Sequence, residues 1–180
     1  MTKISMPKMR VFIGESTEHD NAVGRNENTD TNDKVQAFVD AFQPLAIAAS
    51  VALSGLPAAL ILAQWGAESG WGTTALCVAN QNWGGLKAGD AVISKGRDAR
   101  GFSIFYGQNT FADAYVSVLN RIPNYAALRA YLAGTQKPSI EQCIDLIAKS
   151  GYCEGNPAAY GNLLSDCIAT LRKRSDFFAD

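Results

Sequence analysis

The stretch "AQWGAESGWG", residues 63–72, places one carboxylate, Glu68, at the end of an almost wholly apolar run. Ala58 to Leu62 carry no polar side chain, Trp65 and Trp71 flank the acid, and Gly70 and Gly72 follow at once. Residues 57–68 are apolar on nearly every face, so they read as the central buried helix of a domain. Pro57 opens that helix where its missing N–H costs nothing, and the glycines stop it. Glu68 therefore stands where a core helix meets water.

Outward from this helix the chain is mostly helical. Upstream, "KVQAFVDAFQPLAIAASVALSG" carries Val35, Phe38, Val39, Phe42 and Leu45 at three- and four-residue steps. This predicts a helix from Asp33 to the Gly55 stop, kinked or split at Pro44. Downstream, "TTALCVAN" adds a short helical turn and "QNWGGLK" a glycine-bearing loop. "GDAVISKGRDARGFSIFY", with short β-branched and aromatic pieces around Gly and Asp, predicts a small antiparallel β-lobe. Helical spacing returns in "TFADAYVSVLNRI", "NYAALRAYLAG", "SIEQCIDLIAKSG" and "PAAYGNLLSDCIATLRKR". Thr110, Ser139 and Asn156 are candidate N-caps, Pro157 a first helical residue, and Gly134 and Gly151 helix stops. The basic run Arg172, Lys173 and Arg174 suits a helix C-terminus. The fold class is α+β, predominantly α: a central buried helix with a small β-lobe flanking a cleft. Residues 1–33, polar through "ESTEHDNAVGRNENTDTND", read as a flexible lead-in to one domain at 34–180.

Composition narrows the function. The chain has 180 residues, 47% of them hydrophobic and 18% charged, as a folded globular protein has. Sixteen basic and 17 acidic residues leave a net charge of −1, no field for nucleic acid or anionic lipid. No run approaches the roughly 20 apolar residues of a membrane span, and the N-terminus has no signal-peptide core. Secretion without a signal peptide is the expectation if the protein works outside the cytoplasm. Cys77, Cys143, Cys153 and Cys167 match no zinc spacing, and the one histidine, His19, lies in the polar lead-in. No metal or other cofactor is expected. The cysteines read either as buried thiols or as two disulfides.

The chemistry centres on Glu68. Neighbours such as Ile61 and Trp65 desolvate its carboxyl, and the negative end of the helix dipole also disfavours the anion. Both keep the proton on near neutral pH, as a general acid requires. Glycosidic hydrolysis needs such an acid, because the leaving alkoxide must be protonated as the sugar becomes cationic. Trp71, Trp83, Phe105 and Tyr106 offer flat faces for sugar rings, although each is also readable as core packing.

"AQWGAESGWG" followed by "NWGGLK" is similar to the signature of the peptidoglycan endo-β-N-acetylglucosaminidases, glycoside hydrolase family 73, which include flagellar hydrolases and autolysins. Glu68 to Gly72 match one family motif; Asn82, Gly85, Leu86 and Lys87 fit the second, with Gly84 where Phe is usual and Trp83 beside it. Phe102, Tyr115, Arg121, Pro123 and Tyr125 match a third segment, and Gly151, Tyr152, Pro157 and Tyr160 a fourth. The resemblance spans roughly residues 34–172. It implies a lysozyme-like fold and cleavage of the β-1,4 bond between N-acetylglucosamine and N-acetylmuramic acid in peptidoglycan. It gives Glu68 the general-acid position and puts Tyr152 in the cleft to orient a water or the N-acetyl group. Asn82 and Tyr160 join the aromatic residues as candidate substrate contacts. The family's second Glu is missing between Lys87 and Phe102; Asp90 is the preferred replacement, Asp98 serving equally well as a turn residue. Muramidase or lytic transglycosylase activity, as in phage lysis enzymes, and a catalytically silent wall-binding module are the alternatives. The expected setting is a monomeric antibacterial toxin acting in the periplasm or wall, with an immunity protein blocking the cleft in the producing cell.

Overall fold

The computed structural model describes residues 27–178 apart from Val92, Cys153 and Glu154; of residues 27–32 it gives the backbone alone. His19, most of the polar lead-in and the N-terminal stretch before it lie outside the described residues.

Helix α2, Ala58–Ser69, is the centre of the molecule. Leu60, Ile61, Leu62, Ala63 and Trp65 are fully buried; each large side chain contributes roughly 2 kcal/mol by leaving water. α1, Glu27–Ala52, and α7, Pro157–Arg174, pack against α2, so its faces have no outlet to solvent except at the ends. α1 presents Val35, Phe38, Val39, Phe42, Ala46 and Ala49 to this core at the helical spacing of the sequence. α6, Ile140–Lys149, lies on α7, and α4, Gln108–Arg121, on α1.

The β-lobe is small. β1, Gly96–Arg97, pairs antiparallel with β2, Ser103–Ile104, and a lone bridge joins Lys87 to Phe102. Short α3, Ala75–Asn80, precedes the lobe, and a 3-10 turn, Pro123–Tyr125, leads into α5, Ala126–Gly134. The fold is thus predominantly helical with a two-stranded antiparallel sheet, as the sequence indicates.

Three boundaries differ from the sequence reading. α1 starts at Glu27 rather than Asp33, across residues with no apolar period to reveal it. It also runs unbroken through Pro44; Asp40 and Pro44 are both exposed, so water can take the carbonyl that Pro44 leaves unbonded. α4 begins at Gln108 after Gly107, so Thr110 lies inside the helix and is not its cap. Ser139 and Asn156 do cap α6 and α7, accepting from the backbone N–H of Gln142 and Ala158. One segment of α1, Asp33–Ala52, is long and apolar enough by length and composition to cross a membrane. This corrects the expectation that no stretch approaches the length of a span; Val35, Phe38, Val39 and Phe42 within it are buried in the core. Cys77, Cys143 and Cys167 are buried free thiols, which corrects the two-disulfide alternative for these residues; Cys153 lies outside the described set.

Candidate active site

The glycines after Glu68 do more than stop a helix. Gly70, Trp71 and Gly72 take φ of 58°, 58° and 79°, three successive left-handed residues. A tryptophan there costs roughly 1–2 kcal/mol of backbone strain. Ser69 holds the turn: its Oγ donates to Trp65 O at 2.6 Å and accepts from Gly72 N at 2.9 Å. Its carbonyl accepts from Thr73 N and Thr74 N, both at 3.0 Å. The result swings Trp71 back over its own helix. A Cβ on Gly66 would lie 2.5 Å from the Trp71 ring, so this packing requires glycine at 66. Trp71 also meets Phe38 edge-on, at 5.7 Å between ring centres.

Glu68 is half-buried at the end of α2. Its Oε1 accepts the Tyr160 hydroxyl proton at 2.8 Å, across 92 residues of sequence. Burial pushes its pKa up to about 7, against the pull of that hydrogen bond. The bond continues inward. The Tyr160 oxygen accepts from Gln64 Nε2 at 3.2 Å, and Gln64 Oε1 accepts from the Tyr115 hydroxyl at 2.6 Å. Gln64, Tyr115 and Tyr160 are all buried.

Beside this chain lies a cluster of tyrosines. Tyr152 stacks on Tyr160 with ring centres 5.9 Å apart and planes within 13°, and Tyr125 meets Tyr152 edge-on at 6.4 Å. Tyr152 donates its one hydroxyl proton to Gly84 O at 2.7 Å. Gly84 leaves room for this: a Cβ there would lie 3.2 Å from both the Tyr152 oxygen and Phe111. Tyr125 and Tyr152 line a cavity of about 60 Å³, together with Leu86, Lys87, Asp90 and Ser150 among others. Burial raises the pKa of Asp90, opposed by the positive charge of Arg121. The guanidinium also donates to Asp90 O at 2.7 Å, which fixes the backbone beneath the carboxyl. Burial raises the pKa of the Tyr125 and Tyr152 hydroxyls, and the charges of Glu68 and Asp90 raise both further.

The remaining candidates divide sharply. Asn82 is not free to touch a substrate. Its amide donates to Leu86 O and Ser103 O and accepts from Leu86 N, all at 2.9 Å, bracing the Gly-Gly loop on β2. Trp83 and Phe105 are 6% and 2% exposed and pack on Phe111, so their faces belong to the core and offer no sugar platform. Tyr160 is equally buried and acts on Glu68 instead. Tyr106, 73% exposed, and half-buried Trp71 are the candidate platforms with surface still open. Asp98 is a turn anchor: its Oδ1 accepts from Arg100 N and Phe102 N, and its Oδ2 from Asn80 Nδ2, each at 2.9 Å. Although desolvation pushes its carboxyl up, these bonds outweigh it and hold the pKa low. Gln64 escaped the sequence reading as a site residue, and Ser69, Tyr115 and Tyr125 entered it only as family matches. A signal for Gln64 was available, since an amide one turn before Glu68 in an apolar helix must find buried partners.

An acid ending a buried helix beside a small β-lobe is the arrangement of lysozyme-like glycoside hydrolases. The glucosaminidase family profile, described as mannosyl-glycoprotein endo-beta-N-acetylglucosaminidase, matches residues 43–173. The chain belongs to this family and is a glycoside hydrolase acting on peptidoglycan. Its fold is similar to a solved chain from a type VI secretion system effector-immunity complex of Pseudomonas protegens. The TM-score is 0.60 at 19% identity, over 78% of this chain and 93% of that one. Comparison with curated proteins gave no match.

Proposed function

We propose that the protein hydrolyses the β-1,4 bond between N-acetylglucosamine and N-acetylmuramic acid in bacterial peptidoglycan, with Glu68 as general acid. The observation that carries this is the Glu68 carboxyl itself, half-buried at the end of α2 with a pKa of about 7 and anchored through one oxygen. In the reaction Glu68 gives its proton to the glycosidic oxygen while the C1–O bond breaks and its electron pair leaves with that oxygen. The cationic sugar is stabilised by Asp90, which takes the proton of the water that attacks C1. Tyr152 has spent its one proton on Gly84 O, so it offers only lone pairs. Although only 4% exposed, Tyr152 lines the cavity with Asp90, where its oxygen can accept from that water or from the N–H of an N-acetyl group but cannot donate to the acetyl oxygen. Trp71 and Tyr106 carry sugar rings at the cleft.

Digestion of purified peptidoglycan followed by mass spectrometry tests the bond cleaved. New reducing-end N-acetylglucosamine supports the proposal. Reducing-end N-acetylmuramic acid marks a muramidase and an anhydro product a transglycosylase, and either overturns it. Glu68→Gln lowers turnover by roughly 10²–10⁴-fold if the acid role is right; full activity in that variant refutes it. Asp90→Asn lowers kcat with KM little changed. An unchanged kcat there assigns the second role to the substrate's own N-acetyl group.

The biological setting we infer is an antibacterial effector that acts, as a monomer, on a neighbouring cell's wall from the periplasm. The likeness to a chain from an effector-immunity complex supports this setting. A cognate immunity protein would then occupy the cleft and cover Glu68. Co-purification of the adjacent gene product with this chain, and loss of lytic activity in the complex, are the expected results. A holin-like neighbour would assign the protein to phage lysis instead.

A further inference from the structure

The buried chain of hydrogen bonds behind Glu68 has a direction, and Tyr115 sets it. The Tyr115 hydroxyl is fully buried, and the acceptor within its reach is Gln64 Oε1 at 2.6 Å. A buried hydroxyl that donates to nothing is costly, so this contact fixes which end of the Gln64 amide faces Tyr115. The amide nitrogen must then face Tyr160, to which it donates at 3.2 Å. Tyr160 has one proton. Met by a donor on its Gln64 side, it gives that proton to Glu68 Oε1 at 2.8 Å. Oε1 is thereby occupied as an acceptor, and the carboxyl's own proton belongs on Oε2. Glu68 is half-buried and meets Tyr160 through Oε1, which leaves Oε2 as the oxygen that can carry the proton.

We propose that Tyr115 and Gln64 are positioning residues: by orienting the Gln64 amide they commit Tyr160's proton to Oε1 and keep the transferable proton of Glu68 on Oε2, facing the substrate. This rests on the acid role proposed above. Without the Tyr115 hydroxyl the amide can turn over, present Oε1 to Tyr160 and take its proton. Glu68 then places its own proton on Oε1, directed at the Tyr160 oxygen and away from the cleft. The protonated acid becomes more stable and worse placed at once.

The titratable groups that feel the charge of Glu68 are Tyr160 and Cys167 from α7, Tyr115 from α4, Tyr125 from the 3-10 turn and Tyr152 from the loop before α7. Burial raises the pKa of each, so all stay neutral through pH 5–8. Asp90, whose charge reaches Tyr125 and Tyr152, is an acid among them, and it is the same in every variant below.

The test compares wild type, Tyr115→Phe, Gln64→Met, their double variant and Tyr160→Phe. The Glu68 titration is read by difference infrared spectroscopy against Glu68→Gln, without substrate, and the alkaline limb of kcat is read separately. Tyr115→Phe should raise the titration midpoint by roughly half to one pH unit and lower kcat with KM unchanged. Gln64→Met removes the competing acceptor, so its midpoint moves far less than that of Tyr160→Phe. In the Gln64→Met background Tyr115→Phe adds no further shift. Either of two results overturns the proposal: Tyr115→Phe leaves the midpoint in place, or it moves the midpoint equally with and without Gln64. If Tyr115→Phe does not fold, a Gln64→Met shift as large as that of Tyr160→Phe overturns it by itself. Expected infrared shifts in a protein that cuts no glycan would leave the relay standing and refute the hydrolase reading. Glycan cleavage without those shifts does the reverse.

Discussion

Replacing Glu68 with Gln should make the protein more stable above neutral pH and leave it nearly unchanged in acid. The folded state holds this carboxyl at about 7 against an ordinary 4.5. Below pH 4.5 both states carry the proton and the burial costs nothing extra. As pH rises from 4.5, the unfolded chain releases its proton and the folded one does not, so folding loses stability until the folded group ionises near 7. Above that the loss is constant, at most about 3 kcal/mol for a difference of this size. Gln has the same shape, never ionises, and its carbonyl can still accept the Tyr160 proton. The variant should therefore match wild type at pH 4 and exceed it at pH 8.5. At roughly 2–4 °C per kcal/mol for a domain of this length, the full gain is about 6–12 °C in Tm. Urea unfolding of both proteins across pH 4–9, with equal m-values, measures the difference. A stability gap that does not change with pH would show that Glu68 is not held protonated by burial, and the acid assignment would lose its physical basis.

Gly66→Ala tests the turn. A glycine inside a helix normally gives about 1 kcal/mol back when replaced by Ala, but here the new methyl meets the Trp71 ring at 2.5 Å. A net loss of about 1–3 kcal/mol in urea unfolding is expected; a gain would mean that Trp71 does not rest on α2. Asn82→Ala leaves Leu86 N–H and Ser103 O without their side-chain partner and should cost about 3 kcal/mol. For the protein that remains folded, KM is unaltered, whereas a raised KM at normal stability would restore Asn82 as a substrate contact. Asp98→Ala frees the backbone amides of Arg100 and Phe102, which should exchange faster with deuterium while wall cleavage continues.

The central helix was legible because no face of it carries enough polarity to meet water, which leaves one place for it in a fold. Glu68 was legible for the same reason, as a charge at the edge of such a helix. Aromatic residues were not. Trp83 and Phe105 sit in glycine-rich stretches where a sugar platform and a core filler use the same side chain, and only packing against Phe111 separates the two. Asn82 misled in a related way, since an amide that recognises a sugar and one that clips a loop have the same donors and acceptor. The tyrosine cluster was hidden because its members, Tyr115, Tyr125, Tyr152 and Tyr160, come from four separate segments. Pro44 misled because its effect depends on which side of the helix faces water.

The bond between Glu68 and Tyr160 has a consequence for the order in which the protein becomes competent. A ribosome delivers the Glu-Ser-Gly-Trp-Gly motif 92 residues before the tyrosine that anchors it. Until α7 is synthesised and docked, the end of α2 stays open to water and Glu68 is an ordinary carboxylate, ionised in the cytosol. Such a chain has the letters of the motif without its proton. The property that marks out Glu68 is thus completed by the last helix, and a nascent or C-terminally trimmed chain should be as inert as one that lacks the acid.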